Sequence, residues 1–150
     1  MHSQSGPVVT VSVVVVNWNG RRWLEQCLPT LAVQTFHDFE IIIVDNGSTD
    51  GSVAWLADRW PDARLIVLPK NVGFAAGNNA GIRAARGRYI VTLNNDTRAD
   101  PGWLAALVRT AEAPGAGMVA SRMVQWQQPE RLDSAGIEVD WAGVAWNRGG

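Results

Sequence analysis

Short runs of apolar residues, rich in β-branched side chains, recur along the first hundred positions and predict strands. The first run is broken only by Thr10 and Ser12, which is typical of a strand buried on both faces. It ends at Asn17-Trp18-Asn19-Gly20, where turn-forming residues take over. The four predicted strands cover residues 8–16, 40–44, 64–68 and 89–93.

The segments between these runs carry apolar residues at helical spacing. In residues 22–34 the apolar positions recur every three or four residues, and Pro29 is expected to kink or divide this helix. Further helices are predicted after Asp50, within the small-residue segment 71–87, and from Asp100 onward. Strands that alternate with helices predict an α/β fold, with a mostly parallel sheet flanked by helices.

The composition fits one folded domain. With 47% hydrophobic residues in 150 positions, the chain can build a substantial core. A net charge of −1 supplies no positive field for a nucleic-acid backbone or an anionic membrane surface, so no nucleic-acid partner is expected. Cys27 is the single cysteine, which excludes an internal disulfide and predicts a small, buried core residue.

No segment has the pattern of an export signal or a membrane span. The first seven residues lack the charged start and long apolar run of a secretory signal. No apolar stretch approaches the ~20 residues that a transmembrane helix needs. We therefore expect a cytoplasmic segment with no transmembrane helix of its own, which could still work at the inner face of the membrane.

Asp45 ends the second predicted strand and is followed by Asn46-Gly47-Ser48. The carboxyl ends of parallel strands form the ligand crevice of an open α/β sheet. A carboxylate there can accept a hydrogen bond from a nucleobase imide or a ribose hydroxyl, and the glycine allows a ligand to approach closely. The alternative is an aspartate that only caps a helix or forms a turn.

A second acidic residue, Asp96, follows the fourth predicted strand in Asn94-Asn95-Asp96. These side chains offer hard oxygen ligands, and Mg²⁺ or Mn²⁺ paired with a diphosphate needs only one or two protein carboxylates. Asp96 is therefore predicted to bind a divalent metal, in a site that it shares with Asp45. An asparagine-rich turn without a metal is the alternative.

Residues 71–81 lie between the two aspartates and contain three glycines and three asparagines, among them Asn71, Gly73 and Asn78. Backbone N–H groups at such a helix start can bind an anion, and small residues let a ligand come close. Small residues equally allow a helix to pack tightly on a sheet. The sequence leaves both interpretations of this segment open.

Four motifs follow one another at the ends of predicted strands and around the start of a predicted helix. They are VVVVNWNG at 13–20, IVDNGSTDG at 43–51, NVGFAAGNNAG at 71–81 and LNNDT at 93–97. In this order they resemble the family 2 glycosyltransferases of the GT-A fold, over about residues 8–125. Residues 129–136 and the Trp-rich tail are similar to the bacterial rhamnosyltransferase-like branch of that family.

The resemblance implies an inverting transfer of a sugar from a nucleoside diphosphate sugar to a glycan or lipid-linked acceptor. A rhamnosyltransferase of cell-surface polysaccharide synthesis, with dTDP-rhamnose as donor, is one candidate. By this match two parts of the chain would hold the nucleobase. They are the backbone of Val16, Asn17 and Trp18 and the side chain of Asp45.

The same resemblance assigns the remaining donor residues. The segment from Asn71 through Gly73 to Asn78 would lie near the ribose or the diphosphate. Asp96 matches the last aspartate of the metal-binding DxD motif of the family. Asn94 stands where that motif usually has its first aspartate, so an amide replaces a carboxylate there, and Asn94 and Asn95 would contact the nucleotide.

A catalytic base is expected from a later acidic motif in this family, and no residue here matches its context. Asp133, Glu138 and Asp140 are acidic, but solvated loop positions explain them better. The resemblance therefore predicts a disordered tail at 1–7, a nucleotide-sugar-binding GT-A core at 8–125, and the truncated start of an acceptor-side region at 126–150. The base would lie beyond residue 150.

Three other functions compete with transfer of a sugar as explanations of this sequence. A nucleotide-sugar-binding module without turnover is the main alternative, because the base is missing. A phosphoacceptor receiver domain would need an acidic pair after the first strand, and a nucleotidyltransferase would need a glycine-rich basic loop there. The chain has Asn17-Trp18-Asn19 and then only Gly20-Arg21-Arg22, which favours neither fold.

Overall fold

The computed structural model describes residues 9–134, 137–139 and 145–147, with side chains as far as residue 133. The chain divides into two compact units, Met1–Leu104 and Ala105–Gly150. The tail predicted at 1–7 lies outside the described residues. Among the described residues, no helix is long and apolar enough to cross a membrane.

The first unit contains the predicted alternation of strands and helices. Every element lies where the hydrophobic pattern places it, with ends that shift by a few residues. The strands are β1 (Val11–Asn17), β2 (Phe39–Asp45), β3 (Arg64–Val67) and β4 (Tyr89–Asn94), and the helices are α1 (Arg21–Ala32), α2 (Ser52–Arg59) and α3 (Phe74–Ala84).

Helix α1 continues through Pro29, so the expected division of this helix is wrong. The fully buried Leu24, Leu28 and Leu31 lie on both sides of the proline. Their burial holds the two halves of the helix on one core, which outweighs the backbone hydrogen bond that proline removes.

The sheet of the first unit is parallel throughout, with strand order β3-β2-β1-β4. In this register Asn17 pairs with Asp45, and Val16 pairs with Asn94. From β1 the chain continues to β2 and β3 on one side of β1. After α3 it crosses to β4, which lies on the other side of β1. The carboxyl ends of β1 and β4 therefore flank a topological switch point, where open α/β sheets bind their ligands.

Helix α3 packs closely on β1 and β2. A Cβ atom at Gly81 would lie 2.4 Å from Val14 Cγ1, and one at Gly77 would lie 3.0 Å from Val16 Cγ1. Val14 belongs to a buried cluster with Ile42 and Val44 on this face of the sheet. These two glycines thus serve tight packing, one of the two interpretations that the sequence left open for residues 71–81.

A polar cluster closes the opposite, amino-terminal end of the sheet. Ser12 Oγ donates to Glu40 Oε1 at 2.7 Å, and the Arg86 guanidinium contacts Glu40 Oε2 at 2.9 Å. The backbone N–H of Gly87 donates to Ser12 Oγ at 2.8 Å. Burial raises the pKa of the Glu40 carboxyl, but hydrogen bonds from Arg86 and Ser12 outweigh burial and leave that pKa below its ordinary value.

The second unit contains most of α4 (Trp103–Ala111) and two antiparallel strand pairs, β5 (Met123–Gln125) with β6 (Gln128–Ser134) and β7 (Ile137–Val139) with β8 (Ala145–Asn147). The hydrophobic pattern did not predict these strands. β5 is exposed throughout, so it lacks the alternation of buried and exposed positions that would mark a strand. Asp133 is exposed. The side chain of Glu138 and all of Asp140 lie outside the described residues.

Candidate functional site

A cavity of about 310 Å³ opens at the carboxyl ends of the strands of the first unit. It is lined by residues of four loops, by the ends of β1 and β4, and by the start of α3. Six of the residues predicted for a donor site line it: Val16, Trp18, Asn71, Asn94, Asn95 and Asp96. Residues up to 80 positions apart in the sequence are thus brought together at the aligned strand ends.

Asn46 and Phe74 also line the cavity and were not predicted as site residues. Phe74 is the first residue of α3, and its side chain is 62% exposed. Phe74 is the one aromatic residue of segment 71–81, and this was the signal that the sequence offered. Trp18, 56% exposed, supplies a second aromatic surface in the lining.

Asp45 and Asn17 lie beneath the cavity, and both are fully buried. Asn17 Nδ2 donates to Asp45 Oδ2 at 3.1 Å, and the backbone N–H of Ser48 donates to Asp45 Oδ1 at 2.8 Å. Both carboxylate oxygens of Asp45 therefore have protein partners in this conformation. The contact between Asp45 and a nucleobase stays a prediction, and it requires the loop after β2 to give access to the carboxylate.

Asn46 ties the entry of α3 to the sheet. Its Oδ1 accepts from the backbone N–H of Val72 at 2.9 Å, and its Nδ2 donates to Asn71 Oδ1 at 3.1 Å and to the Gly73 carbonyl at 3.2 Å. Gly73 has φ +89°, a conformation that glycine adopts without strain. This network fixes the loop that carries Asn71 into the cavity lining.

Asn78 lies one turn into α3, and its Nδ2 donates to the Phe74 carbonyl at 3.1 Å. It is not among the residues that line the cavity.

Asp50 was predicted as a helix cap, and its carboxylate accepts hydrogen bonds from the first residues of two helices. The N–H of Arg21, which begins α1, lies 2.9 Å away, and that of Ser52, which begins α2, lies 3.1 Å away. Burial raises the pKa of Asp50, but its hydrogen bonds outweigh burial and lower that pKa.

The cavity lining offers oxygen ligands and one carboxylate. Asp96 is exposed and is the acidic member of the lining, beside the amides of Asn94 and Asn95. Within the described residues, no three His, Cys, Asp or Glu side chains cluster as a ready-made metal site. This donor set fits Mg²⁺ or Mn²⁺ when the cation takes its other ligands from a diphosphate and water.

Cys27 lies beneath the metal-binding segment predicted at 94–96, with its Sγ 3.8 Å from the Asn94 carbonyl oxygen. The thiol is buried, as the sequence predicted. Burial raises its pKa to about 11, so the thiol stays protonated at neutral pH and acts as a packing group.

Known proteins share both the sequence pattern and the fold. The sequence model of the family described as Glycosyl transferase family 2 matches residues 12–148. The succinoglycan biosynthesis protein ExoO of Rhizobium meliloti is 33% identical over 117 residues, which make up 77% of this chain and 34% of ExoO. In five curated relatives, the part that aligns with this chain makes up 15–39% of the relative's own length.

Two solved structures resemble the chain in three dimensions. S. aureus TarS 1-349 in complex with UDP superposes with a TM-score of 0.64 at 20% identity, over 77% of this chain and 40% of that one. The mannosyltransferase PcManGT from Pyrobaculum calidifontis, in complex with GDP-Man and Mn²⁺, gives a TM-score of 0.63 at 27% identity, over 71% and 33%. The predicted GT-A fold is confirmed by these neighbours. With a family match that spans nearly all of its residues, the chain belongs to glycosyl transferase family 2.

Proposed function

We propose that the cavity binds a nucleoside diphosphate sugar and that the chain supplies the donor side of a glycosyl transfer. The observation that carries this proposal is the meeting of Asp96, four asparagine side chains and two exposed aromatic rings at the switch point of the sheet. TarS and PcManGT share this fold, and their structures contain UDP, and GDP-Man with Mn²⁺.

The residues of the lining suggest which of them contacts each part of the donor. Trp18 and Phe74 offer exposed aromatic surfaces on which a planar base can stack. The backbone around Val16 and the carboxylate of Asp45 are the proposed partners of the base edge. Asn71 and Asn94 are neutral amides suited to ribose hydroxyls, because an amide both donates and accepts hydrogen bonds.

The diphosphate needs a counter-charge, and the lining contains no Lys or Arg among its described members. Asp96, with the amides beside it, would hold Mg²⁺ or Mn²⁺ against the diphosphate. When bound, the cation supplies charge stabilisation for the departing diphosphate. Asn94 contributes no charge, so the protein by itself offers only a weak site for the metal.

The proposed reaction inverts the anomeric centre of the sugar. The acceptor hydroxyl oxygen forms a bond to the anomeric carbon, the bond from that carbon to the diphosphate breaks, and a base removes the hydroxyl proton. None of the described residues is assigned as this base. We expect the 150-residue segment alone to bind donor at best weakly and not to transfer sugar, whereas a chain that also supplies the base would do both.

The assignment of donor sugar and acceptor rests on the resemblance of residues 129–136 and the Trp-rich tail to the rhamnosyltransferase-like branch. We propose dTDP-rhamnose as donor and a glycan or lipid-linked acceptor, in synthesis of a cell-surface polysaccharide. ExoO, one of the similar proteins, is named as a succinoglycan biosynthesis protein. Such a reaction would take place in the cytoplasm, at the inner face of the membrane that holds a lipid-linked acceptor.

A calorimetric screen tests the proposal. The chain is titrated with dTDP-rhamnose, UDP-GlcNAc and GDP-Man, each with and without Mn²⁺, and Asp96→Asn is the matched variant. We expect tightest binding of dTDP-rhamnose, with a gain from Mn²⁺ that the variant loses. Stronger binding of another donor would refute the rhamnosyl assignment, and absence of binding by a folded chain would refute the donor site altogether.

A second assay separates transfer from mere binding. The donor that binds is incubated with Mn²⁺ and a lipid-linked glycan pool, using the 150-residue segment and the natural full-length chain in parallel. Product from the longer chain supports a transferase, whereas tight binding without product from either would favour the binding module. Product from the short segment would place the base within it and make Asp133 the first residue to mutate.

A further inference from the structure

We propose that Asn17 is a positioning residue that couples the nucleobase side of the cavity to its metal side. This inference rests on the proposed donor site, and it assigns to Asn17 a role other than contact with the nucleotide. Asn17 is fully buried at the end of β1, between the loop after β2 and the loop after β4. Its side chain therefore acts through its neighbours.

Both ends of the Asn17 amide are engaged. Its Nδ2 donates to Asp45 Oδ2 at 3.1 Å and to Ser48 Oγ at 3.2 Å, while its Oδ1 accepts from Asn95 Nδ2 at 2.9 Å. A carboxylate can only accept, so Asp45 fixes which end of the amide points toward β2. The oxygen is then left facing Asn95, and this bond anchors the residue next to Asp96.

Gly20 leaves the space that this arrangement needs. A Cβ atom at Gly20 would lie 2.4 Å from Asn95 Nδ2 and 2.7 Å from Asn17 Oδ1. Any side chain at position 20 would thus push into the bond between the two asparagines. Gly20 offers a way to disturb the bond from outside, without changing either partner.

The consequence is a mechanical link between two halves of one ligand site. When a metal and diphosphate order the segment of Asp96, Asn95 holds Asn17 in place, and Asn17 in turn holds the Asp45 carboxylate. Thermodynamic linkage then requires that the metal strengthen nucleotide binding by the same factor by which the nucleotide strengthens metal binding. Loss of the link should reduce this factor, beyond any effect on stability.

The test measures that factor directly. UDP, dTDP and GDP are first compared, and the nucleotide that the wild-type chain binds most tightly is chosen. Its dissociation constant is then measured with and without Mn²⁺. The ratio of the two constants is compared across variants. We expect Asn17→Ala and Asn95→Ala each to lower the ratio about fivefold or more. Both substitutions remove the bond between Asn17 and Asn95, so the double variant should lose no more than the larger of the two single losses.

Two further variants guard against trivial explanations. Ser12→Ala removes another fully buried, hydrogen-bonded polar side chain of β1, five residues from Asn17 and roughly 16 Å away at the usual rise per residue. It should lower stability and leave the ratio unchanged. Gly20→Ala should lower the ratio as Asn95→Ala does, so the proposal remains testable even where Asn17→Ala does not fold.

A metal-dependent spectrum provides a second readout. The Mn²⁺ electron paramagnetic resonance signal of the nucleotide complex should change in Asn95→Ala and stay as in the wild type in Ser12→Ala. An unchanged ratio in folded Asn95→Ala and Gly20→Ala, or equal losses of affinity with and without Mn²⁺, would overturn the positioning role alone. A wild-type chain that binds none of the three nucleotides would overturn the donor site and this role with it.

Discussion

Replacement of Gly81 by alanine tests whether α3 is a packing helix. A Cβ atom there would lie 2.4 Å from Val14 Cγ1 and 3.1 Å from Val44 Cγ2, whereas ordinary van der Waals contact begins at 3.4 Å. The nearest contact is therefore about 1 Å too short. Val14 is fully buried in a strand paired on both sides, and its branched side chain has few rotamers to retreat into.

Two opposing effects set the magnitude. Alanine favours a helix over glycine by about 1 kcal/mol, and overpacking of a core costs about 1–3 kcal/mol. The contact is severe, so the upper part of that range applies, and we expect Gly81→Ala to lose about 2 kcal/mol of the free energy of unfolding. At Gly77 the corresponding contact is 3.0 Å to the half-buried Val16, so Gly77→Ala should be close to neutral.

Urea denaturation followed by circular dichroism measures both variants, provided that the dependence of the unfolding free energy on urea concentration stays unchanged. Val14→Ala in the Gly81→Ala background should relieve the contact, with a favourable coupling of about 1 kcal/mol or more in the double-mutant cycle. A Gly81→Ala protein more stable than the wild type would refute the reasoning. Helix propensity alone would then explain the change in stability, and α3 would not pack against Val14 as closely as the structure shows.

Three further results are expected. Asp45→Ala should weaken nucleoside diphosphate binding roughly ten- to a hundredfold in calorimetry, because a charge-assisted hydrogen bond contributes about 1.5–3 kcal/mol, and unchanged affinity would remove Asp45 from the site. Asp96→Asn should abolish the gain in nucleotide affinity that Mn²⁺ gives, and a persistent gain would place the metal elsewhere. The depressed pKa of Glu40 stabilises the fold above the ordinary value of 4.5, and this contribution is lost as the pH falls through the folded-state pKa. Urea denaturation from pH 7 to 3 should therefore show a steeper loss of stability in the wild type than in Glu40→Gln, and equal slopes would contradict the assignment.

The hydrophobic pattern was sufficient for the sheet and for the general place of the site. The β-branched composition of β1 and the spacing of apolar residues in α1 are properties of consecutive residues, so they are visible without a structure. Parallel strands align their carboxyl ends, and this alone placed Asp45 and Asp96 at one edge. The pattern was uninformative for β5 and β6, because strands without a buried face carry no alternation.

What the sequence by itself determined is thus the α/β architecture, the family and the edge of the sheet where the ligand site lies. Only the tertiary structure decided that Asp45 and Asn17 lie beneath the cavity, while Phe74 and Asn46 line it. The bonds that orient Asn17 join it to residues 28 and 78 positions away, Asp45 and Asn95. Burial and amide orientation depend on such distant partners, so no local pattern can specify them.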